Sequence, residues 1–166
     1  MTKKLGIVDS DNKDIIFAIE KYFISKTVDV KVVSEDYNMS EFDVVVLTGY
    51  VDSNNFNHPN VLKIYPTLLP AFKDEEYPIL ASYLAGVKVS GVTVYNCSND
   101  KILAQYPVLV GFDTSFEELS DEILKITQKI YPVVIDAVLC DKVFDFNDLF
   151  NQSSCSGSCG GCSGCH

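Results

Sequence analysis

Four consecutive apolar residues, Val44-Val45-Val46-Leu47, constrain this chain more than any other feature of its sequence. A strand with one wet face alternates polar and apolar residues, whereas an unbroken β-branched run suits a parallel strand covered on both faces. The stretch is therefore expected at the centre of a covered sheet, which makes α/β the fold class. Its surroundings agree. Leu5 to Val8 reads as a short strand ending at Asp9-Ser10-Asp11-Asn12, a turn whose carboxylates suit helix capping. Ile15, Ile19, Tyr22 and Phe23 recur at helical spacing, so a helix is expected to about Lys26, and Val28 to Val33 alternates as a second strand. This β-α-β-β order predicts a doubly wound, Rossmann-type and mostly parallel sheet with helices on both faces.

Beyond Thr48-Gly49 the pattern predicts a polar loop from Asp52 to Asn60, which leaves His58 as an exposed loop residue. Val61 to Tyr65 reads as a strand closed by Pro66, and Tyr77 to Leu84 as a short helix. Val87 to Tyr95 and Ile102 to Val108 read as strands joined by the loop Asn96 to Lys101. From Phe116 to about Val138 the spacing is helical, with Leu119, Ile123, Ile126 and Ile130 on one face and a bend expected at Pro132. Past Phe150 the character changes abruptly, which divides the chain into an α/β domain over residues 1–150 and a tail over 151–166.

The tail carries four of the six cysteines, Cys155, Cys159, Cys162 and Cys165, followed by His166. Glycine and serine between them cannot bury a core, so the segment is expected to be flexible unless a ligand gathers it. Two-residue gaps let successive thiolates turn onto one soft centre, so zinc, copper(I) or an iron–sulfur cluster all fit. Local disulfide redox chemistry is the alternative. The other two cysteines stand apart: Cys140, after Ala137-Val138-Leu139, reads as a small buried apolar residue, and Cys97 lies in a turn.

A net charge of −10 argues against nucleic acid or an anionic membrane as partner, since both need clustered Lys and Arg. No apolar run approaches the roughly 18 residues that span a bilayer. With its N-terminus running straight into a strand pattern, the chain is expected to be cytoplasmic. A small molecule or a protein remains as the expected class of partner.

Four stretches carry a resemblance in order. Val44-Val45-Val46-Leu47-Thr48-Gly49-Tyr50 matches an apolar strand ending in Ala-Gly-Phe. Ile64-Tyr65-Pro66-Thr67-Leu68-Leu69-Pro70 matches an Asn-x-His-Pro-Ser-Leu-Leu-Pro signature. Gly86 to Tyr95 matches Gly-x-x-x-x-Gly-x-Thr-Val-His, and Gln105-Tyr106-Pro107-Val108 with the helix to Tyr131-Pro132 matches the later part. Together they resemble the folate-dependent formyltransferases, of the phosphoribosylglycinamide type used in purine synthesis.

The resemblance implies a Rossmann-type fold and transfer of a formyl group from 10-formyltetrahydrofolate to an amine through a tetrahedral oxyanion, which needs donors and a proton acceptor. The family supplies an Asn and a His on the signature and an Asp on a later loop. Their positions here fall on Lys63, Tyr65 and, in a shortened loop, the neighbourhood of Asp100. The folate-pocket positions fall on Tyr50, Val51, Asp52 and Tyr95, with Asp52 at the family's Arg and Tyr95 at its second His. Where the family cradles a phosphate in a glycine-rich turn, this chain has Asp9 and Asp11, which would repel one. The leading expectation is therefore a formyltransferase-like domain without standard transfer activity, a scaffold or small-ligand module for the metal-binding tail. On that view Lys63 faces solvent and Tyr65 plugs a vacated pocket. The alternatives are a divergent active transferase using Lys63 and Tyr65, and an accessory protein whose tail carries metal.

Overall fold

The structure, a computed structural model, describes residues 1–8, 12–49 and 52–151. Six described strands lie in the order β2-β1-β3-β4-β5-β6. They are β1 (Lys3–Val8), β2 (Val28–Val33), β3 (Val44–Leu47), β4 (Val61–Tyr65), β5 (Val89–Asn96) and β6 (Lys101–Leu109). The first four run parallel, and the hairpin of β5 and β6 adds antiparallel to β4. The helices are α1 (Lys13–Phe23), α2 (Pro78–Leu84), α3 (Phe116–Leu139) and α4 (Phe146–Asn151), the last not expected from the sequence pattern.

Alternation along β3 explains why its run is wholly apolar. Val44 and Val46 face α1 and α3, in a cluster with Leu5, Ile7, Ile19 and Tyr131. Val45 and Leu47 face the other way, against Met39, Phe42 and Phe56. The helices on this second face are two one-turn 3-10 segments, Met39–Glu41 and Ser53–Asn55, so the two covers are unequal in weight. Each fully buried Val or Leu contributes about 1.5–3 kcal/mol relative to exposure, which ties both covers to β3.

Helix α1 ends at Phe23, short of the expected Lys26, and the Lys26 ammonium beyond it reaches the Asp136 carboxylate of α3 at 2.6 Å. Tyr22 donates to the same carboxylate at 3.2 Å, so one acid ties the carboxyl end of α1 to α3. Helix α3 opens with a capping box, Ser115 and Glu118 each bonding the other's backbone N–H, and runs on through Pro132. Cys140 lies just past its last residue, and the thiol is exposed rather than buried as its apolar neighbours suggested. The helix ends at Leu139, so Cys140 no longer shares the face that carries Leu139 into the core.

Tyr131 joins this helix to the sheet. Wholly buried, its hydroxyl meets the Leu62 carbonyl at 2.8 Å and the Leu47 carbonyl at 3.0 Å, near the amino end of β4 and at the carboxyl end of β3. Burial keeps the phenol well above its ordinary pKa, so it serves as a neutral donor. Tyr131→Phe keeps the ring and removes the donor. It is expected to lower stability by about 1–3 kcal/mol, read as a fall in the urea midpoint with unchanged slope. An unmoved midpoint would mean the tie contributes nothing.

Candidate functional site

The turn after β4 is built by side chains that bond its backbone. Thr93 of β5 donates to the Thr67 carbonyl at 2.8 Å and accepts from the Leu69 N–H at 3.0 Å. Gln105 of β6 donates to the Leu69 carbonyl at 2.9 Å, and Thr67 donates to the Ala71 carbonyl at 2.9 Å. The Leu69–Pro70 peptide in this turn is cis. Gly91 lies alongside at φ +157°, where an added Cβ would stand 2.2 Å from the Tyr106 carbonyl oxygen. Only glycine lets β5 and β6 approach there. The Tyr65 hydroxyl closes the far side, within 2.7 Å of both the Phe72 and the Lys73 carbonyls.

Lys63 and Tyr65 alternate with Leu62 and Ile64, which pack toward the helices, so both point to the opposite face. The β4–β5 register sets Tyr95 directly beside Lys63. Two residues on along the chain, the Cys97 thiol is influenced by the Ser53 and Tyr95 side chains and feels the charges of Lys63 and Asp100. Tyr95 in turn feels Tyr65 and Asp100. Lys63, Tyr95 and Cys97 are thus neighbours beside the amino-terminal half of β4, where the Cys97 N–H donates to the Val61 carbonyl at 2.8 Å, and Tyr65 and Asp100 act on them electrostatically. Asp100 reaches this position from an exposed turn between β5 and β6, with φ +54°.

Burial sets the protonation of this group. It is the largest influence on Tyr95, and with the Cys97 sulfur beside it the phenol is held far above its ordinary range. Burial likewise pushes the Cys97 thiol up, against the pull of Ser53, Tyr95 and Lys63. Near neutral pH both groups are therefore uncharged: Tyr95 is a donor, and Cys97 is a packing residue rather than a nucleophile. Sequence reasoning passed over Cys97 and Ser53. The period of two that sets Cys97 on the same face as Tyr95 was the available signal.

On the helical side of the sheet, at the carboxyl end of β4, lies a cleft of about 570 Å³. Ile15 of α1 and Ile123 and Leu124 of α3 form one wall, and Ile79 and Leu80 of α2 face them. Its rim exposes apolar surface at Tyr77, Leu80 and Phe116. Asn12, Thr48, Ser120 and Thr127 supply the uncharged polar groups. Among the described residues lining it, Lys63 is the sole cation and Glu76 the sole carboxylate. The cleft opens beside the point where β2 and β3 leave β1 in opposite directions, the usual ligand position in such sheets.

Other expected site residues have different roles. The Asp52 carboxylate caps the Ser53–Asn55 turn by accepting the Asn54 N–H at 3.0 Å. His58 is buried, not an exposed loop residue. Its Nδ1 accepts the Asn60 N–H at 3.1 Å, which leaves Nε2–H to donate to the Phe42 carbonyl at 2.9 Å. The imidazole satisfies loop backbone groups that packing has removed from water. Tyr50 and Val51 lie outside the described residues, as do Asp9, Asp11, Cys155, Cys159, Cys162, Cys165 and His166. No helix among the described residues is long and apolar enough to cross a membrane.

Comparison with known proteins bears on this geometry. The formyl transferase family profile matches residues 8–135, well over half of the chain. A search of curated proteins finds no match. Among solved structures, phosphoribosylglycinamide formyltransferase from Anaplasma phagocytophilum aligns with a TM-score of 0.70 at 20% identity, covering 85% of this chain and 88% of that one. The enzyme of the same name from Bacillus halodurans aligns at 0.66 and 21%, covering 82% and 95%. A formyltetrahydrofolate deformylase from Pseudomonas syringae pv. tomato reaches 0.72 at 17%, covering 89% of this chain and 65% of the other. At these identities the likeness is one of fold.

The raised Tyr95 pKa carries a sign. The folded protein holds a proton that the unfolded chain releases near pH 10, so the contribution is intact below that pH and is lost as pH rises above it. Tyr95→Phe is expected to flatten the fall of stability between pH 10 and pH 12, roughly the window where unfolded tyrosine ionises. Tyr131 retains its own share of that fall in the variant. Urea unfolding across this range reads the difference, and identical profiles would deny Tyr95 its buried, neutral state.

Proposed function

The chain belongs to the formyl transferase family, and we propose that it moves a formyl group to an amine with a remade set of side chains. Lys63 and Tyr95 donate to the oxyanion, and Asp100 accepts the proton. The observation that carries this reading is the pairing of Lys63 with Tyr95 across β4 and β5, with Asp100 in the turn that follows β5. The amine nitrogen attacks the formyl carbon of an N-formyl donor, forming a C–N bond and turning the carbonyl oxygen into an oxyanion. The Lys63 ammonium and the neutral Tyr95 hydroxyl stabilise that charge in a partly dehydrated setting. The amine proton passes to the Asp100 carboxylate. Collapse restores the carbonyl and breaks the old C–N bond, and the departing nitrogen takes up a proton. Tyr65 is a positioning residue here, because its hydroxyl holds the Phe72 and Lys73 carbonyls.

That same commitment of Tyr65 favours a second reading, in which the domain holds a small ligand without transfer. In either reading the tail is a separate proposal: Cys155, Cys159, Cys162 and Cys165 bind zinc, copper(I) or an iron–sulfur cluster, with His166 an optional donor. The spacing and the small intervening residues support it.

Turnover of 10-formyltetrahydrofolate with a panel of primary amines separates the two readings. Transfer is expected, and Lys63→Met should lower kcat by about 10²–10³, the usual loss for one oxyanion donor. Donor that binds but is never consumed would leave the ligand-holding reading. For the tail, deletion of residues 152–166 should abolish binding of a soft metal ion by the reduced protein while the core stays folded. Unchanged metal content in the shortened protein would move the site into the core.

A further inference from the structure

The acceptor's class follows from the cleft rather than from the cluster around Cys97, and it rests on the transferase reading above. We infer that the acceptor is a primary amine with an apolar or aromatic body, not an amine carried on a sugar phosphate. A phosphate needs several cations or a cradle of N–H groups. Of the charged side chains described along this cleft, Lys63 alone is positive, and by strand alternation it points to the other face. In sequence, the residues just before Asn12 include Asp9 and Asp11 and no Lys or Arg.

The walls state the complementary preference. Ile79 and Leu80 of α2 face Ile123 and Leu124 of α3 across a space of about 570 Å³, within the range of small-molecule sites. Tyr77, Leu80 and Phe116 stand 65%, 39% and 38% exposed on the rim, apolar surface that an apolar occupant would remove from water. Glu76 and the rings of Tyr77 and Phe116 favour a positive head group at the mouth as an amine enters. Lys63, Ile64 and Tyr65 all line the cleft, so an amine seated there lies against the strand that carries Lys63.

The test is equilibrium binding of 2-phenylethylamine against ribose 5-phosphate to the full chain, by calorimetry, with formyl transfer assayed on the same samples. The amine should bind saturably and at least tenfold tighter than the sugar phosphate. Leu80→Lys keeps a good helix former on α2 and adds a cation to the rim, so it should weaken amine binding at least fivefold and improve that of the phosphate. Phe116→Ala, a second variant at an exposed ring, should weaken the amine alone. Ribose 5-phosphate binding as tightly as the amine, or amine binding untouched in both folded variants, overturns the inference. Amine binding without transfer sustains the cleft assignment and removes the transferase reading. Transfer to a phosphorylated acceptor, with no binding of 2-phenylethylamine, does the reverse.

Discussion

The hydrogen bonds from Tyr131 to the Leu47 and Leu62 carbonyls hold the site in place. They join the middle of α3 to two adjacent parallel strands, at the last residue of β3 and the second of β4. Both halves of the site grow from that point. The cleft takes its wall from the N-terminal half of the same helix, and the cluster around Cys97 takes Lys63 from the residue after Leu62. A phenol suits this position because its ring belongs in the core while its single polar atom reaches backbone that the packed helix has screened from water. Asp136, little more than one turn further along α3, fixes α1 through Tyr22 and Lys26. One helix thus ties the first crossover to β3 and β4.

The fold was legible because its strongest signals are local. The run Val44 to Leu47 demanded cover on both sides, and the signature from Tyr65 to Pro70 marked a turn whose partners, Thr93 and Gln105, were themselves within matched stretches. What the sequence left hidden depends on contacts between distant segments. His58 sits in a polar loop, yet it is buried because the Phe42 carbonyl and the Asn60 N–H converge on it. Cys140 follows an apolar run, yet it is exposed because the helix stops one residue earlier. Expectations for Lys63 and Tyr65 were each met in part. The Tyr65 hydroxyl closes the turn, as a residue plugging a pocket would, while Lys63 is half-buried beside Tyr95 rather than simply solvated. Asp52, at the position of a family arginine, caps a 3-10 turn, a role its own loop sequence could have suggested.

The two faces of β4 divide the chemistry. On one side Tyr95 and Cys97 are kept neutral by burial while Lys63 and Asp100 bring opposite charges to the edge of that dry patch. Such an arrangement strengthens each charge's effect on a reacting carbonyl, because water screens it less. On the other side the cleft's walls are apolar, so shape and dehydration outweigh charge in what it can hold. The departures at Lys63, Tyr65 and Tyr95 are mutually consistent: a cation and two phenols replace an amide and two imidazoles, with donors retained on the face where an oxyanion would form.

Central to this account is the claim that Lys63 stands between the cleft and the cluster around Cys97 and senses what binds beside either. Nitrogen-15 NMR of the lysine side chains reads it directly, with the Lys63 resonance assigned by its loss in Lys63→Arg. Titration with 2-phenylethylamine, and separately with 5-formyltetrahydrofolate as a stable analogue of a formyl donor, should each move that resonance saturably while the exposed lysines stay unmoved. A Lys63 signal that ignores both compounds, or that responds no more than the other lysines, would contradict the account.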